Sequence, residues 1–193
     1  MPDSSTPDPV DQAMAAVSRA DFLPHASRTR AHVDAPILIG YGQTNSQPTT
    51  VRIMLRLLDV RREHRVLDLG AGSGWTTALL ATLVGPDGQV IGVERHERLV
   101  AGANAALAKY SQSAAHIRPA TPGVLDAPHD APFDRILVSA EAQRLPMELV
   151  DQLADGGVMV IPVRGTMLRV TREGADAKVT RHGGFAFVPL IED

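Results

Sequence analysis

Apolar positions in the first part of the chain recur twice at helical spacing. Val10, Met14 and Val17 follow Asp8-Pro9, a capping side chain and then a proline whose missing N–H is not needed in the first turn, so a short helix is expected there. Val51, Met54, Leu55 and Leu58 form a second stripe that starts after Pro48. Ahead of that helix lies "GYGQTNSQPTT", residues 40–50, a run of hydrogen-bonding side chains without periodicity that reads as a polar lead-in to a helix N-terminus. Residues 1–7 are proline-rich with little to bury and are expected to be a disordered tail, leaving 8–193 as one domain.

From Arg65 the period changes. "RVLDLG" is a short apolar run ending in glycine, "WTTALLATLV" a helix, "GPDG" a turn, "QVIGVE" a strand and "HERLVAGANAALAKY" a helix. The series continues with "AHIR", a proline-rich loop, "FDRILVSA", a helix over 146–154, "DGG" and "VMVIPV". Strands alternating with helices predict an α/β fold with a doubly wound, mostly parallel sheet. The last forty or so residues lack a helical segment and are expected to close one edge with two or three antiparallel strands.

Composition narrows the function classes. The 193 residues carry a net charge of −3, so no basic face suited to nucleic acid is announced. There are no cysteines, which removes disulfides, thiolate zinc sites and cysteine nucleophiles together. The seven histidines have no metal-ligand spacing, and no metal is expected. The opening "MPDSSTPDP" lacks the apolar core of a signal peptide, and the longest apolar runs fall far short of the ~20 residues of a membrane span. A soluble cytoplasmic protein without a membrane or nucleic-acid partner is expected.

The first strand-to-helix turn is Asp68-Leu69-Gly70-Ala71-Gly72-Ser73-Gly74, where glycines let backbone approach a ligand, and Glu94 ends the next strand, where an acid accepts ribose hydroxyls. The dinucleotide fingerprint G-x-G-x-x-G is not met, because Trp75 takes the sixth place, and neither Walker A nor G-x-S-x-G occurs. Trp75 is open to two readings, a wall of the cofactor pocket or core packing. The turn resembles motif I of class I S-adenosyl-L-methionine (AdoMet) methyltransferases. That resemblance implies a Rossmann-like seven-stranded sheet, with Asp68 near the methionyl ammonium, Glu94 on the ribose, and Gly70, Gly72, Ser73, Gly74 and Arg95 around the cofactor.

"IGYGQTNSQP" is similar to the signature of protein L-isoaspartate O-methyltransferases, usually G-x-G-Q-T-I-S-Q-P. "RADFLP", "VLDLGAGSGW", "APFDRILVSA", "QLADGGVMVIPV" and "FVPLI" follow the same family in order. The resemblance implies methyl transfer from AdoMet to the α-carboxylate of L-isoaspartyl residues in damaged proteins or peptides, as a repair step, by a monomer. It implies Ser46 as the active-site residue, with Gln43, Thr44 and Asn45 lining the cofactor and acceptor pocket. The chemistry agrees with what the chain lacks: a carboxylate with a pKa of about 4 is already ionised at neutral pH and needs no general base. Ser46 is equally a residue type that caps helices, and the helix from Pro48 offers its positive end to a carboxylate.

Several positions depart from the family pattern. Asn45 replaces an isoleucine, and Thr49 an aromatic residue or histidine. Glu141 stands in a turn, Ser139 to Ala142, that usually reads T-A-A-A and faces the acceptor; Arg144 is its nearest candidate partner in sequence. Thr121-Pro122-Gly123 stands where G-D-G usually bonds adenine, leaving backbone or Asp126 as substitutes. Two alternatives therefore stay open: a related carboxyl methyltransferase with a dedicated peptide or protein acceptor, and a binding module of the same fold without catalysis.

Overall fold

In the computed structural model the described residues are 7–110, 115–121 and 127–191. The tail expected over 1–7 thus falls, for residues 1–6, outside them. Asp8 caps α1 (Pro9–Ala16), its Oδ1 accepting the Val10 N–H at 2.8 Å. Two 3₁₀ turns, Arg19–Phe22 and His25–Arg30, lead to strands β1 (Ile37–Gly40) and β2 (Gln43–Asn45), and α2 (Pro48–Leu58) follows. The polar lead-in is therefore half strand. Gly40, Tyr41 and Gly42 all have positive φ, which lets the chain reverse tightly between β1 and β2.

The main sheet has seven strands: β3 (Arg65–Leu69), β4 (Gln89–Glu94), β5 (Ala115–Pro119), β6 (Phe133–Val138), β7 (Leu153–Val163), β8 (Thr166–Glu173) and β9 (Asp176–Gly184). Their spatial order is β5-β4-β3-β6-β7-β8-β9, parallel up to β7 and antiparallel for β8 and β9. The mostly parallel sheet and its antiparallel C-terminal edge agree with the sequence expectation.

After β3 the chain passes through α3 (Trp75–Val84) and α4 (Glu97–Leu107) to build outward, then returns to place β6 on the other side of β3. That reversal opens a crevice beyond the carboxyl ends of β3 and β6, the usual place for a ligand.

Alternation along each strand sends side chains to two cores. Val66, Val90 and Leu137 join α1, α2, α3 and α4 on one face. Leu67, Ile91, Ile136 and Met159 meet Leu149 and Val150 on the other. Burial on both faces explains the uninterrupted apolar strands.

One element is shorter than expected. The helix over 146–154 is only α5 (Met147–Val150), and β7 begins at Leu153, which pairs with Phe133. Gly156 has φ +75°, incompatible with helix, and Arg172 Nη1 donates to the carbonyls of Asp151 and Leu153 at 2.7 and 2.6 Å, fixing the segment as strand.

Leu67 is fully buried on central β3, so Leu67→Ala is expected to cost about 2–5 kcal/mol. The check is a lower urea midpoint with an unchanged slope.

Candidate active site

The crevice is a cleft lined by the β2 strand and Ser46, the loop after β3, the end of β4 with Arg95, Ala120, the Ser139–Ala140 turn after β6, and Val188 to Ile191. The structure therefore brings Gln43, Thr44, Asn45, Ser46, Gly70, Gly72, Ser73, Glu94 and Arg95 to one place. Asp68 and Gly74 are not part of the lining.

Gly70, Gly72 and Gly74 have φ of +80°, +55° and +91°, so the loop needs residues without a Cβ. Gly74 serves packing rather than the cleft: a Cβ there would stand 3.0 Å from Ile117 Cδ1 and 3.1 Å from Ala103 Cβ. The loop is held down by Val93, whose carbonyl accepts from the Gly70 and Ala71 N–H groups at 2.9 and 3.1 Å. Glu94, almost fully buried, accepts the Gly72 N–H at Oε2, 2.8 Å, and the His96 N–H at Oε1, 2.9 Å. Each oxygen keeps a lone pair for a further donor.

Asp68 lies beneath the loop with no exposure. Its Oδ2 accepts the hydroxyls of Thr76 and Thr77 at 2.8 and 2.6 Å, while Oδ1 has no partner among the described residues. Burial pushes its pKa up to about 6, against the two threonine hydrogen bonds, with the Glu94 charge adding to the rise.

On the opposite wall Asn45 is buried. Its Oδ1 accepts from Arg19 Nε at 2.7 Å and its Nδ2 donates to Ser73 Oγ at 3.2 Å, which joins β2 to the glycine loop. The Ser46 hydroxyl makes no hydrogen bond among the described residues. Trp75 satisfies both of its readings: it lines the cleft, yet it is buried and donates from Nε1 to the Val17 carbonyl at 3.4 Å.

Two expectations are corrected by hydrogen bonds that the sequence did not announce. The N-terminus of α2 does not stand open to an acceptor, because Asp34 takes it: Oδ1 accepts the Thr49 N–H at 2.9 Å, and Oδ2 accepts Thr49 Oγ1 and Gln47 Nε2 at 2.8 and 3.0 Å. These bonds hold the Asp34 carboxyl below its usual range, the Thr49 N–H most of all. Glu141 is not among the residues that line the cleft, and among the described residues it makes no ion pair with Arg144. Its Oε2 accepts the Gly165 N–H at 3.0 Å, and its backbone bonds Val188 and Leu190, so it fastens the segment that walls the cleft. Pro122, Gly123 and Asp126 lie outside the described residues. Arg19, buried behind Asn45, carried no sequence signal beyond its place in "RADFLP".

The raised Asp68 pKa has a definite sign for stability. Because the folded value exceeds the ordinary 3.8, ionised Asp68 destabilises the fold above pH 6, and stability is recovered as pH falls from about 6 towards 4. Two pKa units correspond to about 3 kcal/mol. Relative to Asp68→Asn, the parent should gain most of that amount between pH 7 and 4, read from urea midpoints at each pH.

A family model described as protein-L-isoaspartate(D-aspartate) O-methyltransferase matches residues 4–193. A protein-L-isoaspartate O-methyltransferase of Methanopyrus kandleri is 46% identical over 94% of this chain and 83% of its own length; one from Methylorubrum populi is 41% identical over 93% and 84%. Among solved structures, a Plasmodium falciparum protein assigned to the same activity, in complex with S-adenosyl-L-homocysteine, superposes with TM-score 0.85 at 26% identity, covering 97% of this chain and 92% of that one. On a family match that spans residues 4–193, with relatives that share more than two-fifths of its residues over nearly its whole length, the chain belongs to the protein-L-isoaspartate O-methyltransferase family.

Proposed function

We propose that this chain is an AdoMet-dependent protein carboxyl methyltransferase that esterifies the α-carboxylate of L-isoaspartyl residues in damaged proteins and peptides. The observation that carries the reading is the apposition of two walls: β2, with Ser46 just beyond it, faces the glycine loop across one cleft, and the Asn45–Ser73 hydrogen bond joins them.

The residues present fit AdoMet. Asp68 Oδ1 is a buried acceptor without a partner, suited to the methionyl ammonium or a water beside it. Glu94 has lone pairs left for ribose hydroxyls, while Gln43, Thr44, Asn45, Gly70, Gly72, Ser73 and Arg95 border the same space. Gly74 acts by shaping the loop. When bound, AdoMet supplies a methyl group made electrophilic by its sulfonium.

The remaining work belongs to the chain. The acceptor carboxylate is ionised at neutral pH, so no side chain has to remove a proton. Ser46 donates its free hydroxyl to one carboxylate oxygen and leaves the other in line for attack. With AdoMet bound, transfer of its methyl to that oxygen would need no proton to be moved by the chain. Val188 to Ile191 and Trp75 exclude water from the reacting atoms, so that orientation and desolvation carry most of the rate.

We infer further that residues 8–193 act as one domain and as a monomer in the cytoplasm, on a protein or peptide and not on nucleic acid or a membrane. In support, both cores share one sheet, the cleft is lined from one chain, and no helix among the described residues is long and apolar enough to cross a membrane. A dedicated acceptor is not favoured, because Asn45, Thr49 and Glu141 each bond within the chain.

Ser46→Ala should lower kcat on an isoaspartyl peptide by about 10–100-fold, the worth of one hydrogen bond to a charged group, while S-adenosylhomocysteine affinity stays near the parent's. The assay counts base-labile methyl esters; a parent enzyme that labels normal aspartyl controls equally would sink the reading. Glu94→Ala should do the reverse, weakening S-adenosylhomocysteine binding in calorimetry by at least about tenfold through loss of a buried carboxylate acceptor. Equal affinity in mutant and parent would place the ribose elsewhere.

A further inference from the structure

Arg19 is only 6% exposed, rare for its type. Its guanidinium donates from Nε to Asn45 Oδ1 at 2.7 Å and from Nη1 to the carbonyls of Ala31 and Val33 at 3.3 and 2.9 Å. From Nη2 it donates to the carbonyls of Ala35, Asn45 and Ser46 at 2.8, 3.2 and 3.0 Å. Its plane lies 5.5 Å from the Trp75 ring. Every acceptor is neutral. Among the described residues no carboxylate stands within ion-pair distance, and Asp34, the acid whose charge it feels, is exposed and bonded to Gln47 and Thr49.

The carbonyls satisfy the donors but leave the unit charge in place. A buried cation with no acid in contact, and only the longer-range charge of the exposed Asp34 to offset it, is costly and gains from a further anion. The position of this one is informative, because two of its bonds go to Asn45 and one to the carbonyl of Ser46, both residues of the cleft wall. Covalent geometry keeps a serine hydroxyl within about 5 Å of its own carbonyl oxygen. The guanidinium therefore lies within about 8 Å of the hydroxyl that is to hold the acceptor, close enough for its charge to be felt there.

We propose that Arg19 is a positioning residue that selects the acceptor by charge: its buried guanidinium, unpaired with any acid of the chain, is complemented by the α-carboxylate of the incoming isoaspartyl residue. The proposal rests on the reading of Ser46 as the acceptor end of the cleft. It also gives turnover a direction. Methylation converts the attracted anion to a neutral ester, so the attraction is lost at the moment the product forms, and the ester leaves more readily than the substrate.

The test compares two peptides that differ only in an isoaspartyl α-carboxylate or α-carboxamide, titrated into the S-adenosylhomocysteine-bound protein. The parent should prefer the carboxylate by about tenfold or more, as expected for a unit charge at this separation in a partly desolvated site. Arg19→Met should reduce the preference to about twofold or less and raise KM for the isoaspartyl peptide more than it lowers kcat, with KM for AdoMet little changed. Arg19→Lys should keep most of the preference while melting lower, because it retains the charge and loses the fork. Equal loss in the lysine and methionine variants would assign Arg19 a purely structural part, and full preference in Arg19→Met would place the selecting charge elsewhere; either result overturns the proposal.

If Arg19→Met does not fold, Asn45→Asp decides. It keeps an oxygen for Arg19 Nε, can accept from the Ser73 hydroxyl, and adds the missing anion. The melting temperature should hold while the carboxylate preference falls about tenfold, and an undiminished preference overturns the proposal. A parent that forms no ester on isoaspartyl peptides defeats the functional reading itself, and this inference with it. A parent that forms ester while its variants keep their preference defeats the inference alone.

Discussion

A two-stranded hairpin does not hold itself in water, and the strand that leads into Ser46 belongs to one. Ile37 and Ile39 pack it against Leu23 and Leu99, and a single guanidinium ties its second strand to the segments beneath. Arg19 gathers carbonyls from residues 31–35 and from Asn45 and Ser46, while its plane lies over Trp75 at the start of α3. Asn45 completes the link by reaching Ser73. The Ser46 wall of the cleft is thus referenced to the same helix that follows the glycine loop, so a change in one is felt as a change of distance in the other.

The cofactor wall is organised around buried acids. Glu94 stiffens the loop through Gly72 and still has lone pairs to offer. Asp68 is held by two threonines on one oxygen only, and its raised pKa measures how poorly the empty fold solvates its charge. A neutral residue would make a more stable protein. Stability is lowered where a cationic ligand group can restore it, a common pattern at sites that must bind tightly and release.

The alternation of strands and helices from Arg65 onward was legible because burial on both faces leaves continuous apolar runs between glycine turns. The glycine loop, Asp68 and Glu94 were legible for the same reason, their spacing being set by that framework. The hairpin was not, since Leu38 points outward and β1 and β2 are only four and three residues long. The helix over 146–154 was over-read because Leu149, Val150 and Leu153 share a helical spacing, although Leu153 is spent on a strand pair with Phe133. Arg19 and Glu141 bind mainly backbone groups from other segments, which leave no trace in residue type, and Asp34 binds Gln47 and Thr49 from outside their helix. The three departures that left an altered acceptor open each bond within the chain, which no single position in the sequence announces.

Glu141 gives the cleft a property of timing. Its backbone clasps Val188 and Leu190 while its carboxylate grips the β7–β8 turn, so one wall of the site is made from residues far along the chain and the opposite wall is anchored by Arg19 near its start. Apart from α1, the sheet core is built from residues between them. On a ribosome, most of the protein would therefore be folded before it possessed a place to do chemistry, and a clip within residues 185–188 would sever that wall while sparing the strands beneath it.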